Sequence, residues 1–327
     1  MSSNKPIASL SLDLDNQWSY MKTHGDAGWE LFPSYLDILV PRVLRFLSER
    51  QLTITFFVVG QDAALPKNHD ALRAIAGAGH EIGNHSFHHE PWMHLFDRKR
   101  IVQELSQTEE NIEAVTGLRP RGFRGPGFSF SEDTLDVLTE RGYIYDASYF
   151  PTWIGPLARM YYFLTSSFGK DELKKREALF GSVKACFLPL KPKHLKSKSS
   201  QLLEIPVTTM PLFRIPIHAS YILYFATFSP GLAMLYFRFA LALCRLTGVQ
   251  PSLLLHPLDF LGGDDISELA FFPAMRMRSE QKLALMAKII DCYSSYFRVV
   301  TMKQHANEVD GVRTPLPATS QPPQVLS

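Results

Sequence analysis

The chain has 327 residues, of which 46% are hydrophobic and 20% charged, with a formal net charge of +2. That length fits one large α/β domain or two smaller ones, and the small net charge excludes a global electrostatic pull toward nucleic acid. Three cysteines, Cys186, Cys244 and Cys292, are odd in number and far apart. This excludes a disulfide framework and a C-x-x-C metal site, so a reducing compartment is expected.

Met1 to Pro6 is polar and has no apolar core of the secretory kind, so no signal peptide is expected and the expected location is cytoplasmic. Ile7 to Asp15 alternates, with Leu10, Leu12 and Leu14 on one face and Ser11, Asp13 and Asp15 on the other. A strand of this kind delivers two carboxylates to one side. They repel unless a metal or an arginine lies nearby to hold both ionised. Ser34 predicts a helix start running to about Arg50, with Ile38, Leu39, Val43, Leu44 and Leu47 facing inward. The β-branched and aromatic run from Leu52 to Gly60 predicts a buried strand, and a helix is expected over about Asp70 to Ala78.

Glu81 to Asn84 then reads as a short strand running into a helical turn that carries His85, His88 and His89. On such a turn His85 and His89, four apart, project from one face and can share one divalent cation. His88 competes for the same role. Imidazole suits zinc, nickel, cobalt or iron, so the spacing does not name the metal. A zincin motif is excluded, because its second histidine would fall on Met93 and Pro91 would break its helix. Asp97 and Gly117 bracket a helix lined by Ile101, Leu105, Ile112 and Val115. A short strand ends at Arg124, Ser131 caps a helix that closes at Gly142, and Tyr143 to Ser148 is again strand-like.

Strand and helix alternate without a hairpin, which predicts a parallel α/β sheet or barrel with its chemistry at the carboxyl ends of the strands. Asp13, Asp15, His85, Arg124 and Asp146 all fall at predicted strand ends. After Ser148 the regularity breaks. A charged helix is expected near Lys170 to Leu179, within a region whose basic stretch holds Lys184, Lys191, Lys193, Lys196 and Lys198. Leu202 to Val207 predicts a strand with Glu204 inside it. Ser220 to Leu246 predicts apolar helix, Pro251 to His256 a strand, Glu280 to Tyr293 a helix and Phe297 to Thr301 a last strand. Residues 1–304 read as a single domain with a helical, apolar insertion at about 150–250, and residues 305–327, Pro-rich from Asp310 onward, as a disordered tail.

Ala219 to Phe237 runs without a charge but is not read as a membrane span. Pro230 and Gly231 interrupt it, and a span would put His256 and Asp13 on opposite sides of the membrane. Two readings stay open: a buried helix pair of the barrel wall, or a face that joins the Lys184–Lys198 stretch in peripheral contact with the inner membrane face.

With these residues in hand, the chain resembles the polysaccharide deacetylases of the NodB-homology type, carbohydrate esterase family 4. Ser11-Leu12-Asp13-Leu14-Asp15 is similar to a spaced form of the first motif, His85-Ser86-Phe87-His88-His89 to H-[ST]-x-x-H, and Arg124-Gly125-Pro126-Gly127-Phe128 to R-x-P. Tyr145-Asp146-Ala147-Ser148 is a looser match, and Leu254-Leu255-His256 resembles L-x-H. The resemblance covers about residues 7–150 and 251–301. It implies a distorted (β/α)7 barrel and a metal-dependent hydrolase that removes an N-acyl group, foremost N-acetyl, from a sugar or glycoconjugate.

It further implies Asp15, His85 and His89 as metal ligands, with Zn2+ expected ahead of Co2+ or Ni2+. Asp13 would be the general base and Arg124 its partner. A backbone N–H near Phe128 would hold the oxyanion. His256 would be the general acid, and Asp146 the carboxylate that orients it, with Glu204 as runner-up. Gly127 stands where the family has an aromatic residue, which moves the oxyanion donor by up to one position. The plain structural alternatives are His256 as a hydrogen-bonded core histidine and Arg124 as an ordinary ion pair. His24, His69, His80, His94, His194, His218 and His305 are read as lying outside the site. Two other functions stay open: deformylation or deacetylation of a lipid-linked amino sugar at the inner membrane face, and a catalytically inactive carbohydrate-binding protein. The expected partner is an N-acylated sugar or glycolipid, with no nucleic acid.

Overall fold

The computed structural model describes residues 5–153, 187–196 and 201–311. Cys186, Lys184, Lys198, the helix expected near 170–179 and the chain beyond 311 lie outside the described residues.

The strands are β1 (Ile7–Leu14), β2 (Thr55–Val58), β3 (Glu81–Asn84), β4 (Gly122–Phe123), β5 (Tyr145–Asp146), β6 (Lys193–Lys196), β7 (Gln201–Glu204), β8 (Ser252–Leu255) and β9 (Arg298–Val300). They form one sheet in the order β6-β7-β5-β4-β3-β2-β1-β8, and β9 also pairs with β1. Every pairing is parallel except β6 with β7. The parallel run from β7 to β8 has seven members, as a distorted (β/α)7 barrel requires; the antiparallel β6 is an addition at the edge. Successive strands β1 to β5 add side by side, and the chain then returns to the other flank of β1 with β8. Parallel strands share one direction, so their carboxyl ends lie on one rim. The register pairs Leu12 with Leu255, Val58 with Asn84, Asn84 with Phe123 and Phe123 with Asp146. Asp13, Asp15, His85, Arg124 and His256 therefore reach the same end of the sheet.

The alternation of β1 does not separate core from solvent, because all eight of its residues are buried. Leu10, Leu12 and Leu14 pack in the helix-covered core. Ser9 and Ser11 face a polar barrel interior, where His305 Nδ1 lies 2.9 Å from Ser9 Oγ and Arg124 donates to Ser11 Oγ over 2.9 Å.

The helices are α1 (Gln17–His24), α2 (Leu36–Ser48), α3 (Gly60–Ala63), α4 (His69–Gly77), α5 (Arg98–Thr116), α6 (Glu132–Glu140), α7 (Ala219–Ala226), α8 (Pro230–Thr247), α9 (Ser279–Tyr296) and α10 (Met302–Val309). Two of the predicted caps form: Asp97 accepts from the Arg100 amide over 2.8 Å and Ser131 from that of Thr134 over 3.1 Å. The third is corrected: the N-cap of α2 is Tyr35, without a side-chain cap, and Ser34 Oγ accepts from the Leu36 amide one position further out over 3.3 Å. On α2 the buried face is Leu36, Leu39, Val40, Val43, Phe46 and Leu47, whereas Ile38 is exposed. The expected tail boundary at 305 is corrected, because residues 302–309 are helix. A capping box at Thr301 and Gln304 starts α10, and Met302, His305 and Ala306 are buried. The apolar stretch from Ser220 is two helices, broken where Ser229 caps α8.

Gly122 is required by the fold. A Cβ there would stand 2.0 Å from Tyr145 Cζ, and Tyr145 is held by its hydroxyl donating to Glu81 over 2.8 Å. Gly122→Ala is expected to cost about 1–3 kcal/mol by overpacking, read as a lower urea midpoint at unchanged m-value.

Candidate metal centre and active site

Past the end of β1, Asp15 meets two imidazoles. Its Oδ1 is 3.0 Å from His89 Nε2 and 3.4 Å from His85 Nε2. The expected helical turn from 85 to 89 does not form. Ser86 and His89 adopt left-handed backbone, with φ of 59° and 52°. The cause is Glu104 on α5, whose Oε2 accepts from the Phe87 and His88 amides over 2.9 and 3.0 Å. A carboxylate gathering two successive N–H groups shapes a loop rather than a helix. The same Glu104 holds His88 Nδ1 at 2.7 Å, which turns His88 away and resolves its competition with His89.

His85 Nδ1 lies 2.7 Å from the Arg124 carbonyl oxygen. A carbonyl only accepts, so Nδ1 carries the proton and the Nε2 lone pair points at Asp15. Burial alone would raise the Asp15 carboxyl, but His89 and His85 outweigh it and hold it well below the usual carboxylate range. Burial alone would lower the His85 imidazole, yet Asp13 and Asp15 raise it. One ligand atom from each of Asp15, His85 and His89 lies within 4.8 Å of the others, and Asp15 Oδ1 is buried without a hydrogen-bond donor. A divalent cation satisfies all three at once, so this donor set fits a metal.

Asp13, two residues earlier on the same side of β1, belongs to a different pair. Its Oδ1 is 2.7 Å from Arg124 Nη1 and its Oδ2 is 4.0 Å from His85 Nε2. Arg124 is fully buried, donates from Nε to the Ala147 carbonyl over 3.0 Å and lies 4.4 Å from the Phe57 ring centroid. A guanidinium buried this deeply needs its carboxylate, and the pair fixes where Asp13 points.

His256 follows β8. Its Nδ1 is 3.1 Å from Ser220 Oγ, which donates to Asp259 Oδ1 over 2.7 Å, while Asp259 Oδ2 accepts from the His256 amide over 2.8 Å. The carboxylate behind His256 is therefore Asp259, reached through Ser220, and not Asp146. Asp146 Oδ1 instead accepts from the Ala147 amide over 2.8 Å and from Ser148 Oγ over 2.6 Å. Asp146 also pairs with Glu204, whose Oε1 accepts from the Tyr149 amide over 2.8 Å. Neither is joined to His256 by a described hydrogen bond.

Burial pushes the Asp146 carboxyl up to about 6 and Glu204 well above the carboxylate range, with Asp146 adding to the second effect. The pair holds a proton. Because the folded state binds protons that the unfolded state has released, the pair's contribution to stability is full below about pH 4 and is expected to fall as pH rises through about 6 and beyond. Glu204→Gln, which can donate to Asp146, should flatten this dependence in urea titrations across that range.

Sequence reasoning left out His218. It is 6% exposed, its ring centroid is 5.6 Å from that of His256 and 5.8 Å from that of Phe150, and Nδ1 has no described partner. Burial, then His256 and Arg124, lower its imidazole well below the usual range, so it is neutral. Phe150 in turn stacks on Phe128 with centroids 4.6 Å apart. The expected oxyanion donor near Phe128 is spent within its own turn, where the Phe128 amide donates to the Gly125 carbonyl over 2.9 Å and the Ser129 amide to that of Pro126 over 3.1 Å. His80 and His305 are structural, on the Ile54 amide and Ser9.

The sequence pattern of the family described as Polysaccharide deacetylase matches residues 26–145, a stretch that includes His85, His89 and Arg124. Over these residues the chain is similar to the polysaccharide deacetylase family. Similar proteins include Uncharacterized protein YlxY of Bacillus subtilis, 36% identical over 107 residues, which are 33% of this chain and 31% of that one. Peptidoglycan deacetylase of Helicobacter pylori is 30% identical over 148 residues, or 43% of this chain and 49% of that one. The chain thus spans about a third to a half of the length of these curated relatives. A Mycobacterium smegmatis crystal structure, provisionally described as a polysaccharide deacetylase, aligns over 99% of this chain and 97% of its own. Its TM-score is 0.62 at 22% identity, a likeness of fold.

Proposed function

We propose that this chain is a metal-dependent amide hydrolase that removes an N-acyl group, foremost N-acetyl, from a sugar or glycoconjugate. The observation that carries the reading is the convergence of Asp15, His85 and His89 beside the Asp13–Arg124 pair, with His256 on the same rim. The name of the relative from Helicobacter pylori, a peptidoglycan deacetylase, supports the substrate class. Asp15, His85 and His89 would hold the cation, and Zn2+ suits this O,N,N set ahead of Co2+ or Ni2+. When bound, the cation supplies Lewis acidity toward the acyl carbonyl.

This chain's own residues would do the rest. Asp13 Oδ2, the oxygen away from Arg124, takes a proton from the attacking water. Arg124 aims Asp13 through their 2.7 Å contact. The amide of Gly127 is our assignment for the oxyanion contact, since those of Phe128 and Ser129 are spent. His256 delivers a proton to the leaving amine from Nε2, while Ser220 and Asp259 orient the ring through Nδ1. Neutral His218 backs the His256 ring.

The experiment is a paired assay for released acetate and formate against N-acetylated and N-formylated sugars, free and lipid-linked. Release of neither would remove the hydrolase reading. His256→Ala is expected to lower kcat by about 10²–10⁴-fold and to remove the basic limb of the pH–rate profile, where a protonated imidazole is required. An unchanged basic limb would take the acid role away from His256.

A further inference from the structure

The helices α7 and α8 bury one apolar face, Ile222, Leu223 and Ala226 on the first and Ala233, Phe237 and Leu241 on the second. A wall helix ordinarily turns polar residues outward. Here the outward face is apolar too: Phe228 is 72% exposed, Leu232 56%, Leu235 63%, Phe239 50% and Leu246 82%. The loop before α7 extends the patch, with Leu212 75% and Phe213 50% exposed and the Phe213 ring centroid 6.4 Å from that of Phe239. A contiguous exposed surface of this kind marks a contact with something apolar.

Its charge is one-sided. Between Phe187 and Leu258 the only carboxylate is Glu204, which is buried. Arg238 and Arg245 are exposed on α8 among the apolar side chains, and Lys191 reaches the end of α8, its Nζ 3.5 Å from where a Cβ on Gly248 would stand. Exposed Lys193 and Lys196 follow in the chain. The patch also adjoins the site, because α7 starts at Ala219 and its second residue, Ser220, holds His256.

We propose that the α7–α8 face is a membrane-docking surface that seats the active-site rim against a bilayer carrying anionic headgroups. Apolar side chains enter the interface while Arg238, Arg245 and Lys191 meet headgroup phosphates. No helix among the described residues is long and apolar enough to cross a membrane. A second copy is the weaker occupant: Asp291 beside Arg238 is already paired with Arg50, so an isologous pair would press one predominantly cationic patch against its equal.

The test is flotation of the full chain with phosphatidylcholine vesicles, with and without phosphatidylglycerol, at low and high salt, beside light scattering of the protein alone. The wild type is expected to float with the anionic vesicles at low salt and to lose most of this binding at high salt. Arg238→Gln with Arg245→Gln should bind the anionic vesicles at least about tenfold more weakly. Leu232→Ser with Leu235→Ser should lose flotation at both salt levels. Because the arginine pair is exposed, its variant keeps the test valid if the serine variant folds poorly. Wild type that stays at the bottom of the gradient with anionic vesicles at low salt overturns the proposal. So does a dimer that the serine variant converts to monomer. Flotation reads no chemistry, so either result is independent of the hydrolase reading.

Discussion

Asp13→Asn is expected to reduce turnover by about 10²–10⁴-fold while leaving the metal bound. An amide has the size of the carboxylate and can still accept from Arg124, but it cannot take a proton from water. Asp13 is 4.0 Å from His85 Nε2 and is not one of the three converging ligand residues, so metal content should not change. Stability is the second readout. Asp13→Ala leaves the fully buried Arg124 guanidinium without its anion, and breaking a buried pair costs about 3–5 kcal/mol. Asp13→Asn should lose less. Elemental analysis beside kcat separates the outcomes: if metal is lost together with activity, Asp13 is a ligand and the division of roles between the two aspartates is wrong.

The second large effect concerns the ligands. Asp15→Ala, His85→Ala and His89→Ala are each expected to weaken metal binding by more than about 10²-fold, beyond what the loss of an outer-shell partner causes. His88→Ala should leave metal stoichiometry unchanged, because His88 is turned onto Glu104. Equilibrium dialysis against a chromophoric chelator reads all four. Retention by His89→Ala with loss by His88→Ala would reverse the assignment.

Where local rules govern, the sequence was legible. The β1 alternation, the caps at Asp97 and Ser131 and the strand ends at Arg124 and Asp146 need only neighbouring residues, and the parallel run of seven strands from β7 to β8 follows from their order. Features set by distant residues were not legible. The loop at His85 to His89 looks helical until Glu104, on another element, draws two of its amides. The relay behind His256 joins Ser220 to Asp259 across the chain, and no spacing announces Ser220. Asp259, three residues after His256, carried a usable clue, since the two form a capping box. Asp146 was misread because a carboxylate at a strand end can as readily share a proton with Glu204 as face a histidine. On β1, alternation could not distinguish solvent from a polar barrel interior that holds Arg124 and His305.

We propose that Asp15, His85 and His89 hold a metal on which acyl hydrolysis depends. The most direct measurement is acetate release from an N-acetylated sugar oligomer by the same protein sample before chelation, after chelation and after reloading with Zn2+, with metal content followed in parallel. Release is expected to fall with metal content and to return on reloading in the wild type, and His85→Ala to give no release at any stage. Acetate release that persists at full rate after the metal has been removed would contradict it.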